Sequence, residues 1–261
     1  MPKWGISKSQ YFFDKENSII SKGLTSIKYM SDGIAEDLYN LSHTYQFNSF
    51  MDVLNKLENT GINTKQLDIL IKIDFFSAFG NQRELLLLTE YFYNMFKKGK
   101  AVRIKKEKVL DNPVKDIIER HSVCMTKSGT PSKSYEFKDI NAILSEVEKM
   151  VKQSNLKDLD DTVKVRNFVN MMGYVGYITD RKEDRTKLYI MDIYPLKRKR
   201  DGKQFGYSII TKSIGSGVEA RFTCFNSVYN TSPIEKGDII NVTGWERDGI
   251  YFKLNSYTKI S

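Results

Sequence analysis

Cations and aromatics, rather than nucleophiles or metal ligands, are the residues of this chain best placed to do chemistry. The run Lys197-Arg198-Lys199-Arg200-Asp201-Gly202-Lys203 sets five cations against a single carboxylate. Ammonium groups and guanidinium forks packed this closely suit phosphate groups. Phe205 and Tyr207 follow at once, and Trp245 comes later. Aromatic faces stack on bases whatever the base sequence, while a basic groove follows the phosphates. The candidate nucleic-acid-binding set is therefore Lys197, Arg198, Lys199, Arg200, Lys203, Arg221 and Arg247 for phosphate, with Phe205, Tyr207 and Trp245 as stacking surfaces. Each of these aromatics suits the interior of a small barrel equally well, because such side chains fill it.

Other chemistries find little support. Two cysteines, Cys124 and Cys224, and two histidines, His43 and His121, are too few for a disulfide framework or a closed zinc site, and are read as structural. Asp158-Leu159-Asp160 lies in a polar stretch that reads as a loop or helix cap. Neither a phosphate-cradling glycine loop nor a Ser-His-Asp set is found, so no catalytic residue, metal or cofactor is expected. The formal charge of +9 favours a polyanionic partner, with nucleic acid first among them, against the plainer reading of a lysine-rich soluble protein. No apolar run approaches the ~20 residues of a membrane span, and the N-terminal residues lack a signal peptide's apolar segment. A reducing, cytoplasmic setting without a membrane is the expectation.

These residues need elements to hold them. Asp201-Gly202 and Asp248-Gly249 are two-residue hairpin signals. Gly215 and Gly217 permit a corner, after which Val218, Ala220, Phe222 and Cys224 alternate with Glu219, Arg221, Thr223 and Phe225. With Gly173 to Thr179, Lys187 to Tyr194, Ile239 to Trp245 and Ile250 to Tyr257, this gives about five strands and an OB-type Greek-key barrel. The N-terminal part reads as helical. Two short helices about a turn at Ser31 to Gly33 are followed by a second pair. In that pair Phe47, Phe50, Val53, Leu54 and Leu57 mark one helix, Asn63 or Thr64 caps the next, and Leu67, Leu70 and Ile71 face inward. Phe75 to Phe79 reads as an apolar plug, and Arg83 to Phe96 as a longer helix with Leu86, Leu87 and Phe92 inward. Lys97 to Lys108 holds seven cations against Glu107 and reads as a solvated linker, or alternatively as a duplex-tracking stripe. Lys127 to Lys133 reads as a loop, and Ile140 to Val151 as a helix with Ile143, Leu144 and Val147 inward. The expected class is α+β: a helical tandem helix-hairpin-helix region over 1–97, a basic linker with connecting helices over 98–172, and a five-stranded OB-type β-barrel over 173–261.

Taken in order, Gly23-Leu24 through Ile27-Lys28, Phe47-Asn48-Ser49-Phe50, Asn63 to Leu67, and Leu70-Ile71-Lys72 through Phe76 to Arg83 resemble the alpha subunit of bacterial DNA polymerase III, a C-family replicative polymerase. The resemblance covers most of the chain and is most specific over 20–90 and 173–258. It implies the end of the fingers, helix-hairpin-helix units on the duplex backbone, and an OB domain on single-stranded template during DNA replication. In that family the carboxylates that hold two metal ions about 4 Å apart sit in a palm before the matched region, so this chain alone is expected not to synthesise DNA. The implied partners are DNA, the polymerase catalytic part and a sliding clamp, in a bacterial or infected bacterial cell. A free-standing single-stranded-DNA-binding module and a protein-interaction adaptor at the replisome are the alternatives. Gln66-Leu67-Asp68-Ile69-Leu70 is similar to clamp-binding peptides, but Leu67 and Leu70 are needed for helix packing; Gln153-Ser154-Asn155-Leu156 matches less well. Tyr29-Met30-Ser31 stands where the family's first hairpin is glycine-rich, and Ile73-Asp74-Phe75 replaces the small residues of the second.

Overall fold

A computed structural model describes residues 2–15, 18–125, 129–249 and 251–260. The chain divides into two units, Met1–Leu159 and Asp160–Ser261. The first begins with the antiparallel pair β1 (Phe12–Asp14) and β2 (Ile19–Ser21), followed by one 3-10 turn at Leu24–Ser26. Helix α1 (Asp32–Thr44) starts directly after its cap Ser31, so Ser31 to Gly33 opens a helix and is not the expected turn. The chain reverses earlier, at Tyr29, which holds a left-handed φ of 65°. α2 (Phe50–Leu57) and α3 (Thr64–Lys72) follow, the latter closed by a capping box between Asn63 and Gln66. α4 (Gln82–Glu90) has a second such box, Asn81 with Glu84, and runs on into a π turn at Tyr91–Met95. Its buried stripe is Leu85, Leu88 and Phe92, spaced at i, i+3 and i+7, which leaves Leu86 and Leu87 half-buried. Phe75 and Phe76 are buried, and the Trp4 ring meets Phe47, Phe75, Phe76 and Phe79 at centroid distances of 5.3–6.0 Å.

The stretch expected as linker and loop carries secondary structure of its own. β3 (Arg103–Lys105), α5 (Lys115–Arg120), β4 (Ser122–Met125) and β5 (Pro131–Phe137) form a sheet in the order β3-β5-β4 with a helix beside it. Part of the loop expected over 127–133 lies outside the described residues; from Pro131 onward the chain is strand. α6 (Ile140–Gln153) buries Ile143, Leu144 and Val147. It also buries Glu148, whose carboxylate accepts from the amides of Phe50 (2.9 Å) and Met51 (3.0 Å) at the start of α2 and pairs with Lys152 at 2.9 Å. A carboxylate at a helix N-terminus satisfies amides that the helix leaves unpaired. Glu148→Ala would leave two buried donors unmet, and is expected to lower stability by about 2 kcal/mol, read from the urea midpoint of unfolding.

In the second unit α7 (Asp161–Met172) ends at Gly173, whose left-handed φ of 77° terminates the helix. The strand expected at Gly173 to Thr179 is absent. That segment folds back over α7: Val175 joins the cluster around Val165, and Gly176 lies so near Phe168 that a Cβ would approach its ring to 2.5 Å. The barrel begins instead at β6 (Lys187–Lys197) and continues through β7 (Gln204–Ser213), β8 (Glu219–Phe225), the short α8 (Asn226–Tyr229), β9 (Ile239–Asp248) and β10 (Tyr251–Ile260). It closes in the order β10-β8-β7-β6-β9, antiparallel throughout except for the β8–β10 pair. The first strand thus pairs with the second and the fourth, and the third with the fifth, which is a closed OB-type circuit. Leu188, Ile190, Ile209, Phe222, Cys224, Ile240 and Leu254 fill the interior. Burial there pushes the Cys224 thiol up to about 11. Among the described residues no helix is long and apolar enough to cross a membrane.

Buried Asp184 pins the approach to β6. It accepts from Thr179 Oγ1 at 2.8 Å and Arg181 Nε at 2.6 Å, and pairs with Lys187 at 2.7 Å; Arg181 also pairs with Asp161. Gly215 crosses so closely that a Cβ would lie 2.4 Å from the Asp184 carbonyl carbon. Burial raises the Asp184 pKa, but hydrogen bonds from Lys187, Thr179 and Arg181 outweigh it and hold the group at about 2, below its ordinary 3.8. With the folded value below the unfolded one, its contribution is full above about pH 4 and is lost as pH falls through about 2. Unfolding free energy is expected to drop by about 2 kcal/mol across that window, and Asp184→Asn to remove this share of the pH dependence.

Candidate nucleic-acid interface

Pairing register fixes which barrel residues face outward. Tyr194 on β6 stands opposite Ser208 on β7, Ser208 opposite Thr223 on β8, Thr223 beside Lys253 on β10, and Lys253 opposite Glu246 on β9. Their neighbours in register, Ile209, Phe222, Cys224 and Leu254, are buried, so this row lies on the outside. The adjacent row on the outer face holds Asp192, Ile210 and Arg221; Tyr251, two residues before Lys253 on β10, shares this face, and Phe225 lies on it toward the other end of β8. Tyr194 is 50% exposed, Phe225 36% and Tyr251 55%. OB barrels bind oligonucleotides across their second and third strands, between the first and fourth hairpin loops. In this barrel those strands are β7 and β8.

The first hairpin loop is the basic run. Six residues, not two, separate β6 from β7, because Asp201 serves the turn differently from the expected hairpin pair. Its carboxylate accepts from the Lys203 amide at 3.0 Å, the Gly202 amide donates to the Arg198 carbonyl at 2.9 Å, and Gly202 has φ 67°. The turn is thereby held by backbone and Asp201, leaving Lys197, Arg198, Lys199, Arg200 and Lys203 exposed. Arg221 is exposed on the face beyond. Lys253 pairs with Glu246 at 2.5 Å, a bond that holds the Glu246 carboxyl below its usual range, and its ammonium lies 5.5 Å from the Phe225 ring centroid.

The candidate aromatics separate. Phe205 is half-buried beside the basic loop, 6.1 Å from the Phe225 ring. Tyr207 points inward and stacks on Tyr229 at 3.8 Å, packed against the barrel core and away from the outer face. Trp245 pairs with interior Leu254 but sits where the barrel opens, 53% exposed and edge-on to Phe252 at 5.4 Å. There it lines a largely apolar pocket of about 360 Å³ with Phe222, Val218 and Arg185. Arg247 follows on the same side, its Nε donating to the Gly249 carbonyl at 3.0 Å. The fold therefore groups the basic loop, Phe205 and Arg221 on one surface and places Trp245 and Arg247 at the barrel mouth. Tyr194, Tyr251 and Phe225 complete the outer surface. Their signal was strand parity, visible for Phe225 in the alternation of β8.

In the first unit, left-handed Tyr29 takes the backbone conformation that glycine adopts freely. Its carbonyl accepts from Gln66 Nε2 at 2.8 Å and its ring lies 3.9 Å from the Lys65 ammonium, tying the first hairpin to the start of α3. Gln66, Leu67 and Leu70 are buried, as the packing reading of that segment requires. Asp158-Leu159-Asp160 lies in the loop before α7.

A family model described as a helix-hairpin-helix motif matches residues 3–86, which contain both hairpins. No curated protein matches the chain. A helical region with this motif, followed by a closed five-stranded barrel of OB type, points to a nucleic-acid-binding module.

Proposed function

We propose that the chain is the DNA-binding arm of a C-family replicative DNA polymerase, similar to the C-terminal region of the DNA polymerase III alpha subunit. The barrel holds single-stranded template across β7 and β8, and the helix-hairpin-helix region holds duplex by its backbone. The observation that carries this reading is the exposed cation loop adjoining outward Phe225, with Tyr194 and Arg221 exposed on the same outer face. Phosphates follow the loop and bases stack on the aromatics without regard to sequence. In this reading the chain does no chemistry itself: the metal-holding carboxylates belong to a catalytic partner, and a sliding clamp is a further partner whose contact is not Gln66 to Leu70, since that segment is packed inside.

Fluorescence anisotropy with single-stranded, duplex and primer-template DNA of mixed sequence tests the proposal. Salt-sensitive binding, with primer-template at least as tight as single strand, is the expected result. A preference for single strand by more than about tenfold, roughly 1.4 kcal/mol, would favour a free-standing single-strand-binding module. Weak binding to all three would leave a protein adaptor.

A further inference from the structure

The basic stretch after α4 forms a wall of a cleft whose lining lies outside both the segment matched by the helix-hairpin-helix model and the barrel strands. The cleft measures about 660 Å³ and is lined by Lys97, Arg103, Lys105 and Lys108, with Tyr91 and Met95 among its apolar groups. Two local devices build it. The π turn at Tyr91–Met95 is followed by three successive left-handed residues, Lys97 (φ 47°), Lys98 (φ 64°) and Gly99 (φ 71°). Left-handed lysines cost roughly 1–2 kcal/mol each, and such strain persists only where neighbours enforce it. Here the Lys98 amide donates to the Phe92 carbonyl at 2.7 Å and its ammonium pairs with Glu58 at 3.1 Å, away from the cleft lining. Arg103 and Lys105 alternate along β3 and so share a face, with Ser134 of β5 opposite Lys105.

Four cations line the cleft against one carboxylate, Glu90. Glu107 pairs with Lys105 at 3.2 Å, but both side chains are largely exposed, and Glu136 stands opposite Arg103. Solvated pairs of this kind hold a lysine weakly and leave it available to a phosphate. The volume falls within the roughly 300–1,000 Å³ of small-ligand sites, which combine apolar walls with a few charged groups. We propose that this cleft binds a nucleotide, its phosphate among Lys97, Arg103, Lys105 and Lys108 and its sugar and base against Tyr91 and Met95. A free mononucleotide or one unit of a bound strand would present the same chemistry. The proposal does not rest on the barrel's role.

Lysine acetylation of the full chain, read by mass spectrometry, tests it with two probes, thymidine monophosphate and a 5′-phosphorylated thymidine dodecamer. Acetylation of Lys97, Lys105 and Lys108 is expected to slow about fivefold once the probe exceeds its dissociation constant about fourfold, with Lys98 unaffected. Protection by the monophosphate assigns a free nucleotide; protection by the dodecamer alone assigns a strand. Both should survive in a protein carrying Lys197→Ala, Arg198→Ala, Lys199→Ala and Arg200→Ala, and Lys97 and Lys105 should lose protection with Arg103→Gln plus Lys108→Gln. The cleft is refuted by no protection from either probe, or by dodecamer protection that vanishes with the barrel substitutions. Because the wild-type footprint decides first, a misfolded variant cannot rescue the idea. Failure of the barrel reading shows separately, as unchanged strand affinity in the barrel variant.

Discussion

Replacing Lys197, Arg198, Lys199 and Arg200 together by alanine should flatten the salt dependence of single-strand binding. Each phosphate neutralised contributes about 0.7 to the slope of log affinity against log salt for single strands, so removing four phosphate-binding cations lowers it by about 2.8. Between 50 and 200 mM salt the wild type would then lose roughly 50-fold more affinity than the variant. The fold should tolerate the change. The turn is held by the Asp201 carboxylate, by Gly202 and by backbone bonds of Arg198 and Lys203, and none of the four substituted side chains takes part. Being exposed, these cations also have little packing to lose. A slope within about 0.5 of the wild type would mean that the four cations together neutralise fewer than one phosphate, removing the loop from the interface.

Where the fold was legible, local chemistry and burial pattern agreed. Asn63 with Gln66 and Asn81 with Glu84 are three-residue capping signatures, and both helices start there. The alternation of β8 is a period-two pattern, and its Phe222 and Cys224 are the buried side. The sheet of β3, β4 and β5 was hidden because its longest strand is seven residues and only Ile104 and Tyr135 among its residues are buried, so no apolar alternation marks it. Gly173 to Thr179 misled for the opposite reason. Its alternating apolar residues are inward, but they pack on α7 and make no ladder. Asp201-Gly202 had the composition of a two-residue turn, yet the ladder ends at the Lys197–Gln204 pair and leaves six residues between the strands, which no dipeptide encodes.

The candidate site divided along the same line. Cations at a hairpin tip are solvent-facing by position, so composition alone located the loop. Aromatics are different: the same ring serves core or ligand, and only register separates them. Tyr207 and Phe225 lie on adjacent strands at neighbouring register, yet one stacks on Tyr229 inside and the other faces outward. Tyr194 escaped notice because the face of β6 is set by its pairing with Ser208, a contact that depends on the loop length just described.

That division makes the aromatics separable by experiment. Tyr194→Ala and Phe225→Ala are each expected to weaken single-strand binding by about 1–3 kcal/mol, or roughly 5- to 150-fold, because each removes a stacking face. Unlike the loop variant, neither should alter the salt slope, since no phosphate-neutralising charge is removed. Tyr194→Phe keeps a flat ring and should retain most of the affinity. Trp245→Ala, by contrast, should leave binding across the outer face unchanged, because its ring lies at the barrel mouth against Phe252. Tyr207→Ala should lower stability by about 3 kcal/mol through the stack with Tyr229, with affinity falling only as folded protein is lost. Affinity measured beside unfolding midpoints distinguishes these cases. If Trp245→Ala cost more binding than Tyr194→Ala and Phe225→Ala together, the strand would run over the barrel mouth and the β7–β8 face would not be the interface.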